Sequence, residues 1–106
     1  MAKFLFSGSY TSDGAKGLLK EGGSSRRAML GEMIGSLGGT VEAFYFAFGE
    51  ADVYVIADVP DAVSAAALSM TASATGAVGV KTVALLTPEE IDEASRKSVT
   101  YRPPGA

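Results

Sequence analysis

The sequence predicts an α+β domain whose elements follow in the order β–α–β–β–α–β, with one more helix towards the C-terminal end. Apolar side chains alternate with period two in segments such as Thr40–Phe48, which is typical of strands. Leu30, Met33, Ile34 and Leu37 recur at helical spacing. Right-handed crossovers then give an antiparallel sheet in the order 4-1-3-2 with the helices on one face. This is the ferredoxin-like arrangement.

The first third of the chain is predicted to form one strand and two helices. A strand at Lys3–Tyr10 places its aromatic side chains on one face. The cap and turn residues Thr11–Gly14 lead into a short helix, which Gly22–Gly23 ends. Either Ser24 or Ser25 is the expected N-cap of the second helix, which carries the apolar stripe described above.

The remaining strands and the third helix follow from the same patterns. Strands are predicted at Thr40–Phe48, Asp52–Val59 and Val78–Leu86. Asp61 is the expected N-cap of the helix between the last two strands. The predicted buried stripe of that helix consists of Val63, Ala66, Ala67, Met70 and Ala74.

The C-terminal region is predicted to contain a final helix and an extended arm. Thr87 as N-cap, Pro88 at the first position and Glu90 at the third predict a helix that reaches about Ser98. We therefore expect a single domain at 1–98 and an arm at 99–106. The arm combines Tyr101 and Arg102 with two prolines, so we expect it to lie across a neighbouring subunit with Tyr101 buried and Arg102 paired.

The sheet is predicted to be apolar on both sides. In the second strand Phe44 and Phe46 face one way, and Ala43 and Tyr45 face the other, so neither side reads as polar. The helices cover only one side. The sequence therefore predicts that a second copy covers the other, which makes the protein a homodimer or a larger homo-oligomer with sheets face to face.

Composition excludes several classes of chemistry. The chain has no Cys and no His, which removes thiolate sites and the commonest general base and metal ligand. No metal or cofactor is therefore expected. The net charge of -3 argues against a nucleic-acid partner. The uncharged stretch 62–80 is too polar to cross a membrane, and the N-terminus is no export signal, so a cytoplasmic location is expected.

Several short motifs, in order, resemble the GYD-domain family over residues 3–94. They are Tyr10-Thr11 with Gly14, the run 43–56 with Pro60-Asp61 after it, and Thr87-Pro88-Glu89-Glu90. Gly49 and Asp52 match the name motif, whereas Ala51 stands where the tyrosine would be, so no role of that tyrosine is carried over. The resemblance implies a dimeric α+β barrel and no particular activity.

Five residues near strand ends are candidates for a small-molecule site, placed between sheet and helices. They are Tyr10, Thr11, Tyr45, Asp52 and Tyr54. Phenols, a hydroxyl and a carboxylate inside an apolar frame suit ligand binding. Asp52 also has a structural interpretation, because an aspartate after a turn accepts backbone N–H groups. Tyr10 and Thr11 could equally pack and cap.

A second candidate site lies at the start of the second helix. Ser24, Ser25, Arg26 and Arg27 follow two glycines there, and helix N-termini favour anions. The alternative is a solvated connection. The acidic run from Glu32 to Asp61 is either a solvated edge or a site for a cation or amine.

These observations leave two classes of function open. The first is a homo-oligomeric domain that binds a small molecule or a protein partner. The alternative, by analogy with other dimeric α+β barrels, is a cofactor-independent monooxygenase or isomerase.

Overall fold

The computed structural model describes residues 1–106, which form one four-stranded antiparallel sheet and four helices. The strands are β1 (Ala2–Tyr10), β2 (Thr40–Phe46), β3 (Val53–Val59) and β4 (Val78–Leu85). The helices are α1 (Ser12–Glu21), α2 (Gly23–Ser36), α3 (Ala62–Ala74) and α4 (Pro88–Ser95). The predicted α+β class is thereby confirmed.

The sheet has the strand order β2-β3-β1-β4, which is the predicted order read from the other edge. Neighbouring strands are antiparallel throughout, with β1 paired to both β3 and β4. This order is compatible with a ferredoxin-like fold. One irregularity between Val41 and Ala43 shifts the register of β2, so that Glu42 has no partner in β3.

The core lies between α2, α3 and one side of the sheet. Its nine members are Phe4, Phe6, Ile34, Val53, Val55, Ala57, Val59, Ala65 and Leu68. The predicted stripe of α2 is confirmed, because Ile34 is fully buried and Leu30, Met33 and Leu37 pack around the core.

The predicted buried stripe of α3 is wrong. The helix buries Ala65 and Leu68 against the sheet, and the opposite stripe is exposed, with Val63 at 77% and Met70 at 71%. The sequence of α3 contains no charged residue, so apolar periodicity could not distinguish its two sides. Leu68, the one leucine of α3, packs in the core.

Helix starts agree with the sequence in three of four cases, and Thr11 is the N-cap of α1 as expected. Asp61 caps α3 by accepting the Ser64 backbone N–H at 2.8 Å, and Thr87 forms a complete capping box with Glu90. At α2, however, Gly22 is the N-cap and neither Ser24 nor Ser25 has that role. Gly22 has a φ of 89°, which only glycine adopts at low cost, and this turn joins α1 directly to α2.

Several element ends differ from the prediction. Strand β2 ends at Phe46 and β3 begins at Val53, so the connecting loop is longer than a four-residue turn. Phe48 at its tip is exposed. Helix α4 ends at Ser95, and every residue from 88 to 106 is exposed.

The side of the sheet away from α1–α3 is uncovered, and we call it the open face. Strand alternation and the pairing register give its apolar and aromatic members as Leu5, Ala43, Tyr45, Tyr54, Ile56, Val83 and Leu85. Leu5 lies opposite both Ile56 and Val83, so the centre of the open face is apolar.

Candidate functional site

A cavity of about 60 Å³ lies between the sheet, α2 and α3. Twelve of its fourteen lining residues are hydrophobic, including Phe44, Leu68 and Val80. The lining side chains that can form strong hydrogen bonds are the phenol of Tyr10 and the guanidinium of Arg26. The cavity therefore offers an apolar chamber with two polar groups, which is the usual make-up of a small-molecule site.

Tyr10 reaches the cavity because of strand alternation. It is the last residue of β1 and shares the helix-facing side with Phe6 and Gly8. A Cβ at position 8 would lie 2.9 Å from Val53 and 3.0 Å from Val78. Because Gly8 has no Cβ, the side chains of Val53 and Val78 can pack against the β1 backbone near Tyr10.

Arg26 reaches the same cavity from the first turn of α2. It precedes Leu30 by four residues, so it extends the buried stripe of that helix by one turn. Its only side-chain contact of hydrogen-bond type is a weak one of 3.9 Å from Nη1 to the sulfur of Met29. The two ion pairs in the structure are both made by Lys3, which leaves Arg26 with no carboxylate partner.

The structure therefore does not place the four predicted anion-binding residues in one site. Arg26 lines the cavity, whereas Ser24, Ser25 and Arg27 are exposed on the outer side of the same turn. The N-terminus of α2 adds a favourable dipole for an anion near Arg26. Sequence reasoning missed the link between Arg26 and Tyr10, although the helical spacing to Leu30 distinguishes Arg26 from Arg27.

Asp52 fastens the β2–β3 loop to the end of β1. Its Oδ2 accepts the backbone N–H of Tyr10 at 2.8 Å, its own N–H donates to the Gly8 carbonyl at 2.8 Å, and its carbonyl accepts the N–H of Ala47 at 2.7 Å. All three bonds are local to the strand ends. The geometry matches the structural interpretation of Asp52.

Thr11 caps α1 and ties it to the turn before β4. Its hydroxyl accepts the Gly14 N–H at 3.3 Å and donates to the Gly76 carbonyl at 2.8 Å, while its N–H donates to the Ala77 carbonyl at 2.9 Å. These contacts engage both the hydroxyl group and the backbone N–H of Thr11. They hold the end of β1, and so Tyr10, in place.

Tyr45 and Tyr54 lie on the open face, on the other side of the sheet from Tyr10. The two tyrosines pair across β2 and β3, and Tyr45 is 72% exposed. The structure therefore does not bring the five predicted ligand residues into one site between sheet and helices.

A polar groove, which the sequence did not indicate, runs along one end of the open face. It has a volume of about 450 Å³, and its polar side chains include Ser7, Ser9, Glu50, Tyr54 and Lys81. Gly79 contributes no side chain and leaves space between Ser9 and Lys81.

The acidic run is dispersed over the fold. Glu42 and Asp58 both bind the ammonium group of Lys3, with N···O distances of 2.5 and 3.0 Å. The hydrogen bonds to Glu42 first, and then to Asp58, raise the pKa of Lys3 above its ordinary value of 10.5. No group of three or more carboxylates is placed to bind a metal ion.

A family model described as GYD domain matches residues 4–95 of the 106-residue chain. The protein belongs to the GYD-domain family. A search of the curated proteins and a search of the solved structures both gave no match. The match begins in β1 and ends at the last residue of α4, so both the cavity and α4 are parts of the GYD domain.

Gly49, Ala51 and Asp52, the residues compared above with the name motif, lie in the β2–β3 loop. Asp52 makes the loop contacts described above, and Ala51 is buried. The loop therefore presents no phenol at position 51 to the cavity or to the open face. No helix of this GYD domain is both long and apolar enough to cross a bilayer.

Proposed function

We propose that this GYD domain is a homodimeric binding protein for a small, mainly apolar molecule that carries one anionic group. The observation that supports this is a cavity that Arg26, which has no carboxylate partner, and Tyr10 both line among hydrophobic side chains. Arg suits carboxylate and phosphate recognition because its planar fork donates two parallel hydrogen bonds. A phenol next to it adds one directional donor.

The volume limits the size of the ligand. A cavity of about 150 Å³ holds benzene, whereas this one measures about 60 Å³. The chamber therefore fits a short aliphatic segment of about three or four atoms. A short-chain carboxylate such as butyrate is the simplest molecule with that shape and charge.

A second copy on the open face completes the proposal. The centre of that face is apolar and uncovered, and both of its ends are polar. Lys3 binds Glu42 and Asp58 at one end, and Lys81 and Glu50 line the polar groove at the other. Apolar centres with polar rims are typical of protein interfaces. On β4, Val83 lies at this apolar centre and Lys81 lies towards the polar end, so a two-fold contact centred on Val83 keeps Lys81 at its rim.

Butyrate and its neutral amide, butyramide, test the cavity. At ten times its dissociation constant, butyrate should stabilise the fold by about 1.4 kcal/mol, which is a rise in Tm of about 6 °C. Butyramide should give a much smaller rise. Arg26→Gln should abolish the butyrate effect, and Arg27→Gln, one residue away but exposed, should keep it. Equal shifts for both variants would contradict the cavity assignment.

The dimer is tested by mass in solution. Light scattering should give twice the chain mass of 10.8 kDa. Val83→Glu on the open face should weaken the dimer at least tenfold, whereas Leu19→Glu on exposed α1 should not. A monomeric parent protein at micromolar concentration would contradict the proposal.

The enzyme alternative, a cofactor-independent monooxygenase or isomerase, is examined with the same samples. Conversion of the bound molecule into a new product, detected by mass spectrometry, would favour the enzyme. Recovery of unchanged butyrate is expected for both hypotheses, because a saturated carboxylate has no activated position for either reaction. The expected cytoplasmic location and the arm at 99–106 stay predictions.

A further inference from the structure

Helix α4 makes no extensive contact with any other helix or strand of its own chain. All residues from 88 to 106 are exposed, and α4 is absent from the packed pairs of elements. The radius of gyration is 16.8 Å, whereas a compact chain of this length has about 13 Å. The C-terminal segment therefore extends away from the domain.

An isolated helix of this length is not stable in water. Isolated helices shorter than about 12–15 residues are marginal, and α4 has 8. It nevertheless has a complete capping box and Pro88 at its start. A well-specified helix without internal packing requires a surface to dock on.

The family match shows that α4 belongs to the GYD domain and not to a tail beyond it. It covers 4–95 and so includes the whole of α4. Its own copy leaves α4 uncovered, and a second copy of the same domain has an uncovered helix face to offer.

The same chain carries an uncovered apolar helix face, the α3 stripe, defined as Val63, Ala66, Ala67, Met70 and Ala74. Helix α3 has no charged residue, which is typical of a helix covered on both sides. Three alanines in the stripe allow another helix to approach closely. In α4, Ile91 is the one large apolar residue, and Ala94 follows it on the same side.

We propose that α4 of one copy packs its Ile91 side onto the α3 stripe of a second copy. In a two-fold dimer each copy gives one α4 and receives one, so both uncovered faces are buried at once. Leu86, Ile91, Val99 and Tyr101 are all more than half exposed. At an order of 100 Å² each they supply about 400 Å² per copy, half of what a standard interface buries on each side.

The acidic residues of α4 are compatible with this contact. Glu89 and Glu93 lie on the side of the helix away from Ile91, where they stay in water. Glu90 and Asp92 flank Ile91 at about 100° to either side and so lie at the rim of the contact. The α3 stripe presents no charge that would be desolvated. The inference rests on the proposed association of two copies, but it depends neither on the ligand nor on the open face.

The absence of cysteine from the chain allows a direct test. Full-length Ile91→Cys protein, enlarged by a tag, is mixed with untagged Met70→Cys protein and oxidised. A disulfide needs Cα atoms within about 7 Å. We expect a covalent product with the summed mass of the two chains. Glu89→Cys, on the far side of α4, is the matched control and should cross-link at least tenfold less.

Two results would overturn the inference. One is equal cross-linking of the Ile91→Cys and Glu89→Cys chains. The other is a doubly substituted chain, Ile91→Cys with Met70→Cys, that closes its disulfide at monomer mass, because α4 would then fold back onto its own α3. Light scattering of the parent protein distinguishes a failure of the α4 contact from a failure of the proposed dimer. A dimer without the trans cross-link overturns the α4 contact alone, whereas a monomer overturns the dimer as well.

Discussion

Replacing Asp52 with alanine should destabilise the protein without touching a ligand. The change leaves the backbone bonds to Gly8 and Ala47 in place and removes one interaction, the 2.8 Å bond from the Tyr10 N–H to the carboxylate. That N–H then loses its partner at a half-buried strand end. Asp52 is the only side chain that links the β2–β3 loop to the last residue of β1 in this way.

The size of the effect follows from the type of bond. A hydrogen bond to a charged group contributes about 1.5–3 kcal/mol, so Asp52→Ala should lower the free energy of unfolding by about 2 kcal/mol. In a domain of this size the same change lowers Tm by about 8 °C. Asp52→Asn keeps a carbonyl acceptor without the charge, and should lose about half as much.

Urea unfolding followed by circular dichroism measures these differences. Glu50→Ala is the matched control, since Glu50 is an exposed acid in the same loop and its substitution should stay within about 0.5 kcal/mol. If Asp52→Ala were as stable as the parent protein but bound butyrate at least tenfold more weakly, Asp52 would be a ligand residue. The structural reasoning would then be refuted.

Four further predictions concern two glycines of α1 and two charged groups. Gly14→Ala should destabilise the fold by at least about 2 kcal/mol in urea unfolding, because its Cβ would lie 1.9 Å from the Ala77 carbonyl oxygen. Gly17→Ala, with nothing within 4 Å, should stabilise α1 by about 0.5–1 kcal/mol. Two carboxylates raise the pKa of Lys3, so its contribution is present below pH 10.5 and is lost as the pH rises through the raised pKa. The stabilities of the parent and of Lys3→Gln should therefore converge in that alkaline range. The capping bond lowers the pKa of Asp61 below 3.8, so the parent and Asp61→Ala should differ in Tm at neutral pH and converge as the pH falls below 3.8.

The sheet could be predicted because strand alternation is a strong signal. In β2, aromatic and small residues alternate, and the core takes Phe44 and Phe46, as period two requires. The same rule separates Tyr45 from Phe44. The predicted site between sheet and helices ignored this separation, and therefore placed Tyr45 with Tyr10 although the sheet lies between them.

The cavity was harder to predict because its two polar groups come from distant elements. Tyr10 and Arg26 are both visible as candidates in the sequence, but no local pattern joins the end of β1 to the first turn of α2. The helical spacing from Arg26 to Leu30 was the available signal. Pairing it with Tyr10 requires the packing of α2 on the sheet, which only the tertiary structure specifies.

The error at α3 and the isolation of α4 both concern apolar surface that the single chain leaves uncovered. Only 14 of 106 residues are buried in the single chain, so the core is small for its length. Apolar side chains remain uncovered on the open face, on the α3 stripe and on α4. A periodicity argument assumes that a helix has one apolar side, and it fails for α3 because no charged residue marks a polar side. The choice of Val63 and Met70 over Leu68 was wrong for the monomer core. It is the expected pattern if the α3 stripe is an interface, which the cross-linking experiment decides.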